Sequence, residues 1–566
     1  MKIVGVYGAL DWDANIFDKP GTYIHDAGAT LFVNGIHIRS INEERLTRLK
    51  DEGNYPRKSI EYVLGDYSKD DIDIVCYCPS YPEISNKQLV EGIGKRMLQE
   101  SFPNAEVWML SHHLCHAAST VFTSPFNSGS FLTIDGLGSG IWDFASAMTR
   151  GGENNSIGYF DKQKRIFRFF RGTGDLGMNS FGEFYCNMSQ MVYDAKHRQL
   201  MREESTLPED VFNNIQFAQN FDVTPKEGKI MGMSAYGKLL PEQERPMCAS
   251  THYAEGLFDI DRWEFGMPEV HFYDYKMVYR HLKGSPEDKA HYIQYWFEHA
   301  LMYLVETLKE DYLEDDNCFA GGCFLNVCAN TRIRSLFRNM HIPPFTNDSG
   351  IHFGAAAWGA YRSKESIELP SNIALLGKSY DDFVPEEENC KYYEDFDDLC
   401  NFVADELNDN KIIGWFQGRS EYGPRSLGSR SLLMSPRDSK NKDILNTRVK
   451  KREYWRPFAG IMLEESVEDY FDPGFPSPYM LYSQTSITKK IPAITHGDLT
   501  CRIQTVNEQQ NPKMCQLLSK FDVPILLNTS FNKSGEPIIE TPEDAIASFK
   551  QMDIDYLVIG NYILWN

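Results

Sequence analysis

Apolar runs bounded by turn signals predict alternating strands and helices from the first residues onward. Lys2-Ile3-Val4-Gly5-Val6-Tyr7 begins an apolar run that stops at Asp11, which reads as a first β-strand. After a loop to Tyr23, the runs from Gly28 to Asn34 and from Ile36 to Asn42 flank Asn34-Gly35, a dipeptide that favours the tight turn of a β-hairpin. Phe131 to Ile134 predicts a strand that closes on Asp135-Gly136-Leu137-Gly138, where small residues let backbone amides approach a phosphate or a metal-bound ligand. Cys318-Phe319-Ala320 leads into Gly321-Gly322 and then Asn326, a strand, glycine turn and helix start that suits a nucleotide or a plain tight turn equally well. Ala355 to Ala360 predicts a closely packed helix, and Ile525-Leu526-Leu527 a buried strand emptying into Asn528-Thr529-Ser530-Phe531-Asn532.

A strand followed by such a hairpin is how actin-like and RNase H-like nucleotide-binding lobes begin, and ligands of α/β sheets sit at strand ends. Lys364 to Glu388 is polar and acidic, with prolines at 370 and 385, and predicts a linker into a second unit with a boundary near residue 370. No internal repeat is visible along the chain. At 566 residues, length alone predicts roughly three to four domain-sized units. A hydrophobic fraction of 42% supports packed cores, while no stretch approaches the roughly 18 apolar residues of a membrane span. The start lacks a small-residue cleavage site and reads as a strand rather than a signal peptide. The twelve cysteines form no paired C-x-x-C knuckles, so free thiols and a cytoplasmic location are expected. A net charge of −23 argues against a nucleic-acid polymer as partner, because such binding rests on Lys and Arg neutralising phosphates.

Two patterns carry candidate chemistry. In Ser111-His112-His113-Leu114-Cys115-His116, a helix would place His112 and His116 on one face, able to share a metal ion with a carboxylate such as Asp135. A pair at this spacing is more often structural than ligating, and the spacing does not fix the metal. Further on, Arg448 to Arg456 carries five positive charges and one negative within nine residues. Upstream of it, Gly418 to Ser431 combines glycines that expose amides with three arginines, Arg419, Arg425 and Arg430, that offer forked donors to phosphate oxygens. Together with the Asn528 to Asn532 strand end, these elements predict a pocket for a polyphosphate and a small anionic co-substrate.

These residues resemble the O-carbamoyltransferase family of antibiotic and nodulation-factor tailoring enzymes, typified by nebramycin synthase. The resemblance spans essentially the whole chain. Its N-terminal motifs are His25-Asp26-Ala27-Gly28-Ala29, the histidine cluster, Asp135-Gly136-Leu137-Gly138, the run from Lys229 to Gly237, Gly321-Gly322 with Asn326, and Asn347-Asp348-Ser349-Gly350. Its C-terminal motifs are Gly423 to Gly428, Lys450-Lys451-Arg452 with Arg456-Pro457-Phe458-Ala459, Arg502 to Val506, and Ser530-Phe531-Asn532. The family implies an α/β chain: a two-lobed actin-like (ASKHA, Kae1-like) domain over 1–365, a linker over 366–378, and a YrdC-like domain over 379–566. It implies that the second domain converts carbamoyl phosphate and ATP, with Mg²⁺, into carbamoyl adenylate, phosphate and pyrophosphate. Lys450, Arg452, Arg456 and Arg502 would offset the negative charge, Arg425 and Asn528 would assist binding, and Ser530 and Asn532 would orient the carbamoyl group.

By the same resemblance the carbamoyl group passes to a hydroxyl of a small acceptor (a sugar, nucleoside, nucleotide or other metabolite) in the first domain. A metal there would be held by His112, His116, Asp135 and Asp348. The family implies Fe²⁺, and the donor set would also accept Mn²⁺, Co²⁺ or Zn²⁺. His25 is the candidate general base; Lys229, Gly136, Gly138, Gly321, Gly322 and Asn326 are assigned to the adenylate. The loop from Asp11 to Tyr23, with Trp12, Asp13, Asn15 and Asp18, looks longer than the family's opening turn and so bears on the acceptor. Rival readings are carbamoylation of a peptide or nucleic-acid acceptor and a non-catalytic, nucleotide-gated regulatory protein of the actin-like class. A homodimer is the default assembly.

Overall fold

The computed structural model describes residues 1–9, 25–79, 87–136, 151–175, 181–204, 227–240, 258–262, 268–272, 279 and 282–565. The first strand, β1 (Lys2–Tyr7), pairs antiparallel with β2 (Gly28–Val33), which pairs antiparallel with β3 (Ile36–Asn42). Asn34 and Gly35 both adopt positive φ, at 51° and 79°, the geometry of the hairpin turn that their sequence predicts. On the other side of β1 lie β4 (Ile74–Cys78) and β5 (Glu106–Met109), both parallel, completing the order β3-β2-β1-β4-β5.

The same plan recurs downstream. Strands β6 (Ser128–Ile134), β7 (Gly151–Asp161) and β8 (Ile166–Asp175) form an antiparallel meander. A two-stranded ribbon of β9 (Phe258–Arg262) and β10 (Pro268–Phe272) intervenes. Then β11 (Asp316–Ala320) pairs parallel with β6, and β12 (Asn339–His341) parallel with β11. The order β8-β7-β6-β11-β12 repeats that of the first sheet, strand for strand and direction for direction. Two such lobes are the actin-like fold. The chain therefore does contain an internal repeat, one of topology. It escapes inspection of the sequence because strand polarity and order constrain the alternation of apolar positions and leave residue identity free.

Two buried helices cross between the lobes. His112–Thr123 is capped by Ser111, whose Oγ accepts from Leu114 N–H at 3.3 Å. Ile351–Arg362 packs on it so closely that a Cβ at Gly354 would sit 1.8 Å from Cys115 O. The small residues from Ala355 to Ala360, nearly all fully buried, permit that approach.

From Cys390 onward the chain builds one mixed sheet. Its strands are β13 (Cys390–Tyr392), β14 (Ile413–Phe416), β15 (Arg430–Met434), β16 (Ala459–Leu463), β17 (Ser483–Thr485), β18 (Thr500–Val506), β19 (Ile525–Ser530), β20 (Tyr556–Ile559) and β21 (Tyr562–Trp565). They run in the order β13-β21-β20-β14-β15-β19-β16-β18-β17 among the described residues. The stretch expected as a linker, 366–378, lies along β3: Glu368 N–H donates to Gly35 O at 2.9 Å and Ser40 N–H to Leu376 O at 3.3 Å. The sheet and the lobes are further joined by buried contacts such as Arg45 Nη2 to Gly423 O at 2.9 Å. Among the described residues no helix is long and apolar enough to cross a membrane.

Candidate functional site

Helical spacing, a strand end and a short turn bring four candidate ligand residues together. His112 and His116 project from one face of their helix, Asp135 follows the last residue of β6, and Asp348 opens the Asp348–Gly350 turn. Their ligand atoms all lie within 4.8 Å of one another. His112 Nε2 is 3.0 Å from Asp135 Oδ2 and 3.3 Å from Asp348 Oδ1. His116 Nε2 is 3.1 Å and 3.4 Å from the same two oxygens. The two Nε2 atoms themselves are 3.1 Å apart.

Burial alone would drive the imidazoles toward their neutral form, yet the Asp348 and Asp135 carboxylates hold His112 well above its ordinary value. Reciprocally, and against burial, His112 and His116 hold Asp348 well below the usual carboxylate range. Two Nε2 atoms facing each other and the same two oxygens cannot both be well served by protons, because two N–H groups would confront one another. A single divalent cation would serve all four, since two imidazoles with two carboxylates are a donor set that first-row metals accept.

The surroundings orient these ligands. Tyr7, buried at the end of β1, donates from its hydroxyl to Asp348 Oδ2 at 2.8 Å. Gly322 N–H donates to Asp135 Oδ1 at 2.9 Å. Gly321 beside it has φ +103°, and a Cβ there would lie 2.0 Å from Ile134 O, so only glycine lets this turn close against β6. The glycine pair thus holds the Asp135 carboxylate in place. Asn326, grouped with it in sequence, is a helix N-cap: its Oδ1 accepts from Ala329 N–H at 3.1 Å, and its amide exchanges hydrogen bonds with Gln294. His113 turns away from the cluster to Ser156 Oγ, 3.0 Å distant. His25 Nδ1 lies 2.9 Å from Asp26 Oδ2, an oxygen that also accepts from Asn347 Nδ2 at 2.8 Å. That places the imidazole next to the turn carrying Asp348. Gly136 follows Asp135, and a Cβ built there would meet nothing within 4 Å among the described residues; Gly138 and the Asp11 to Tyr23 loop lie outside the described residues.

A second cluster lies in the nine-stranded sheet's half. Residues Leu445–Lys450 wind as a π-helical turn that ends at Lys451 in the left-handed region, and this turns Lys450 inward. The Lys450 ammonium donates to Ser530 O (2.5 Å), Asn532 O (3.0 Å) and Asn532 Oδ1 (2.8 Å), with Ser530 Oγ at 3.3 Å. Ser530 Oγ donates to Asn532 Oδ1 at 2.6 Å. Arg452 is tied to Asn446 Oδ1 at 2.9 Å and lies over the Phe458 ring at 4.4 Å. Arg425, Arg456 and Arg502 complete the group. Burial and then the neighbouring guanidinium groups depress these cations: Arg425 to about 10, Arg452 to about 9, and Lys450 and Arg502 well below their ordinary values. The buried Nε atoms of Arg425 and Arg502 have no hydrogen-bond partner among the described residues. Like charges gathered in a buried pocket with donors unspent are an arrangement that an anion completes.

Not every basic residue of the sequence pattern joins. Arg448 forms a two-pronged pair with Asp553, both distances 2.7 Å. Arg419 is spent on Gly377 O and Leu376 O, and Arg430 on Gln417 O and Gly418 O. Three of the amides expected to face a ligand, those of Leu427, Ser429 and Arg430, instead donate to the buried Glu421 carboxylate. Asn528 faces Ser426 and Gln504 inside the sheet. Lys229 sits 4.5 Å from the Tyr193 ring centroid and 3.5 Å from Glu453 Oε1. No sequence motif marks Tyr7, Glu421 or Glu453 for a role; Tyr7 is the end of an apolar strand, and Glu421 and Glu453 are lone acids inside glycine-rich or basic segments.

Comparison with known proteins agrees with this two-part layout. The family model described as Carbamoyltransferase N-terminus matches residues 80–357, and the one described as Carbamoyltransferase C-terminus matches residues 404–566. The chain is 29% identical over 612 residues to Nodulation protein NolNO of Sinorhizobium fredii, covering 100% of this chain and 82% of that protein. It is 30% identical over 485 residues to Nodulation protein NolO of Bradyrhizobium diazoefficiens, covering 80% and 78%. An uncharacterized protein of Synechocystis is 29% identical over 635 residues, covering 96% and 95%. The chain therefore belongs to the carbamoyltransferase family and is an enzyme of carbamoyl transfer.

Proposed function

We propose that this enzyme is an ATP-dependent O-carbamoyltransferase working at two sites, with residues 379–566 activating the carbamoyl group and residues 1–365 delivering it to a small hydroxylated acceptor. The observation that carries this reading is the buried cation pocket, where the Nε atoms of Arg425 and Arg502 have no partner among the described residues and an anion would supply one. In the activation step, carbamoyl phosphate and water give carbamate and phosphate. The carbamate oxygen then attacks the α-phosphorus of ATP, and pyrophosphate leaves as carbamoyl adenylate forms. Both displacements chiefly need positioning and fixed positive charge. Lys450, Arg452, Arg456, Arg425 and Arg502 supply the charge. Ser530 and Asn532, locked to each other and to Lys450, present the carbamoyl group, and Mg²⁺ arriving with ATP would offset polyphosphate charge.

In the transfer step, the acceptor hydroxyl attacks the carbamoyl carbon and AMP leaves. Against burial, the Asp26, Asp348 and Asp135 carboxylates hold His25 up at about 10; a cation held by Asp135 and Asp348 would offset two of those charges and leave Nε2 to take the hydroxyl proton. His112, His116, Asp135 and Asp348 would hold a divalent cation, Fe²⁺ or one of Mn²⁺, Co²⁺ and Zn²⁺, which supplies positive charge to a carbonyl or phosphoryl oxygen. Gly136, directly after Asp135, would adjoin the adenylate.

The test is pyrophosphate release from ATP in the presence and absence of carbamoyl phosphate. Release should depend on carbamoyl phosphate and vanish in Lys450→Ala. Release that ignores carbamoyl phosphate, or that survives unchanged in this variant, would overturn the assignment.

A further inference from the structure

The cation pocket contains its own potential counter-ion. Among the described residues Glu453 is the one carboxylate paired with any of its cations, and that pairing is loose, with Oε2 at 3.9 Å from Arg456 Nη1. Its other oxygen is held more firmly. Tyr193 donates to Glu453 Oε1 at 2.6 Å, and Lys229 Nζ lies 3.5 Å from the same atom. Lys229 also lies over the Tyr193 ring and within 3.4 Å of its hydroxyl.

Tyr193 belongs to the helix Phe181–Glu204 and Lys229 to the helix Glu227–Ser234, both in the actin-like part. The segment bearing Glu453 is anchored there too: Trp455 is buried in the same hydrophobic core as Met188, Val192 and Ile230 of those helices. A carboxylate at this position competes with an incoming anion for Arg456. Rotation of Glu453 toward the pocket would neutralise part of the charge on which binding depends.

We propose that Lys229 and Tyr193 are positioning residues that hold Glu453 at its loose 3.9 Å distance from Arg456, so that the actin-like part sets the anion affinity of the sheet's cation pocket. This rests on the pocket being the phosphate site proposed above. Lys229 then acts through Glu453, without touching the anion. The arrangement predicts opposite signs for substitutions at two residues that contact each other, a pattern that loss of packing cannot produce.

Inorganic pyrophosphate, titrated into the full-length protein by calorimetry, is the probe. Glu453→Gln, which keeps shape and removes charge, should bind pyrophosphate about fivefold more tightly than wild type. Lys229→Met and Tyr193→Phe, which release Glu453, should each bind it more weakly by a similar factor. The double variant Lys229→Met/Glu453→Gln should return to the affinity of Glu453→Gln alone, because Lys229 has nothing left to restrain. The proposal is overturned if Glu453→Gln binds no more tightly than wild type. It is equally overturned if the double variant falls well below Glu453→Gln, which would mean that Lys229 meets the anion directly. A wild-type protein that binds no pyrophosphate would instead remove the phosphate site itself, and this proposal with it.

Discussion

Tyr7 donates to Asp348 Oδ2 across 2.8 Å, while the other oxygen of that carboxylate faces both His112 and His116. The hydrogen bond links β1 of the first lobe to the turn that supplies the fourth ligand, and it fixes which oxygen of Asp348 points at the histidines. Partners that orient ligands in this way typically govern metal affinity by about 10- to 100-fold. Tyr7→Phe should therefore lower affinity for added Mn²⁺ by a factor in that range while carbamoyl-phosphate-dependent pyrophosphate release stays near wild type. Equal affinity in the two proteins would leave the bond without a metal role.

Removing a ligand is the stronger version of the same test. His116→Ala should reduce bound transition metal from about one per chain to a small fraction and stop carbamoyl transfer, yet spare pyrophosphate release, because the two clusters lie in different parts of the fold. Metal content by elemental analysis and pyrophosphate release on one preparation decide this. A parallel loss of both activities in a folded variant would contradict the division into two sites.

The cation pocket should make the ligand-free protein less stable than it could be. Arg502 is depressed by burial and then by Arg425, Arg452 and Arg456, so replacing it with Met removes a repelling charge and retains an aliphatic stem. Arg502→Met should raise the thermal midpoint by roughly 1–3 °C and abolish pyrophosphate release. Scanning calorimetry should also show pyrophosphate raising the midpoint of wild type and leaving that of Arg502→Met almost unmoved. A lowered midpoint in the variant would show that Arg502 stabilises its surroundings even without an anion.

Lys450 lends the pocket a pH dependence of definite sign. Burial, followed by Arg452 and Arg456, places it well below its ordinary value of 10.5. A depressed base exacts its cost where it is protonated, so ligand-free stability rises with pH from the folded value of Lys450 toward 10.5. A bound anion favours the protonated form, and by linkage anion affinity must fall as pH rises through that same window. Pyrophosphate affinity measured from about pH 7 to about pH 10 should decline in wild type relative to Lys450→Met at each pH. Parallel curves for the two proteins would exclude Lys450 as the titrating group.

Much of the molecule was legible along the chain because local chemistry is written locally. Asn34-Gly35 specifies its turn, helical spacing aligns His112 with His116, and the apolar runs of β1, β6, β11 and β19 announce buried strands that end at polar residues. The motif order identified the family, and with it all four members of the histidine and aspartate cluster. Tertiary structure alone decided how each charge is used. Arg425 and Arg430 stand five residues apart in one glycine-rich loop, yet one keeps a free donor in the pocket and the other is consumed by carbonyls, because the loop folds around Glu421. Lys229 meets Glu453 from 224 positions away, a contact that no period or spacing encodes. The matching strand order of the two lobes was equally silent in sequence. Periodicity reports which face of an element is buried, whereas the partner on that face is chosen by long-range packing, and that choice placed two sets of charged residues around two separate sites.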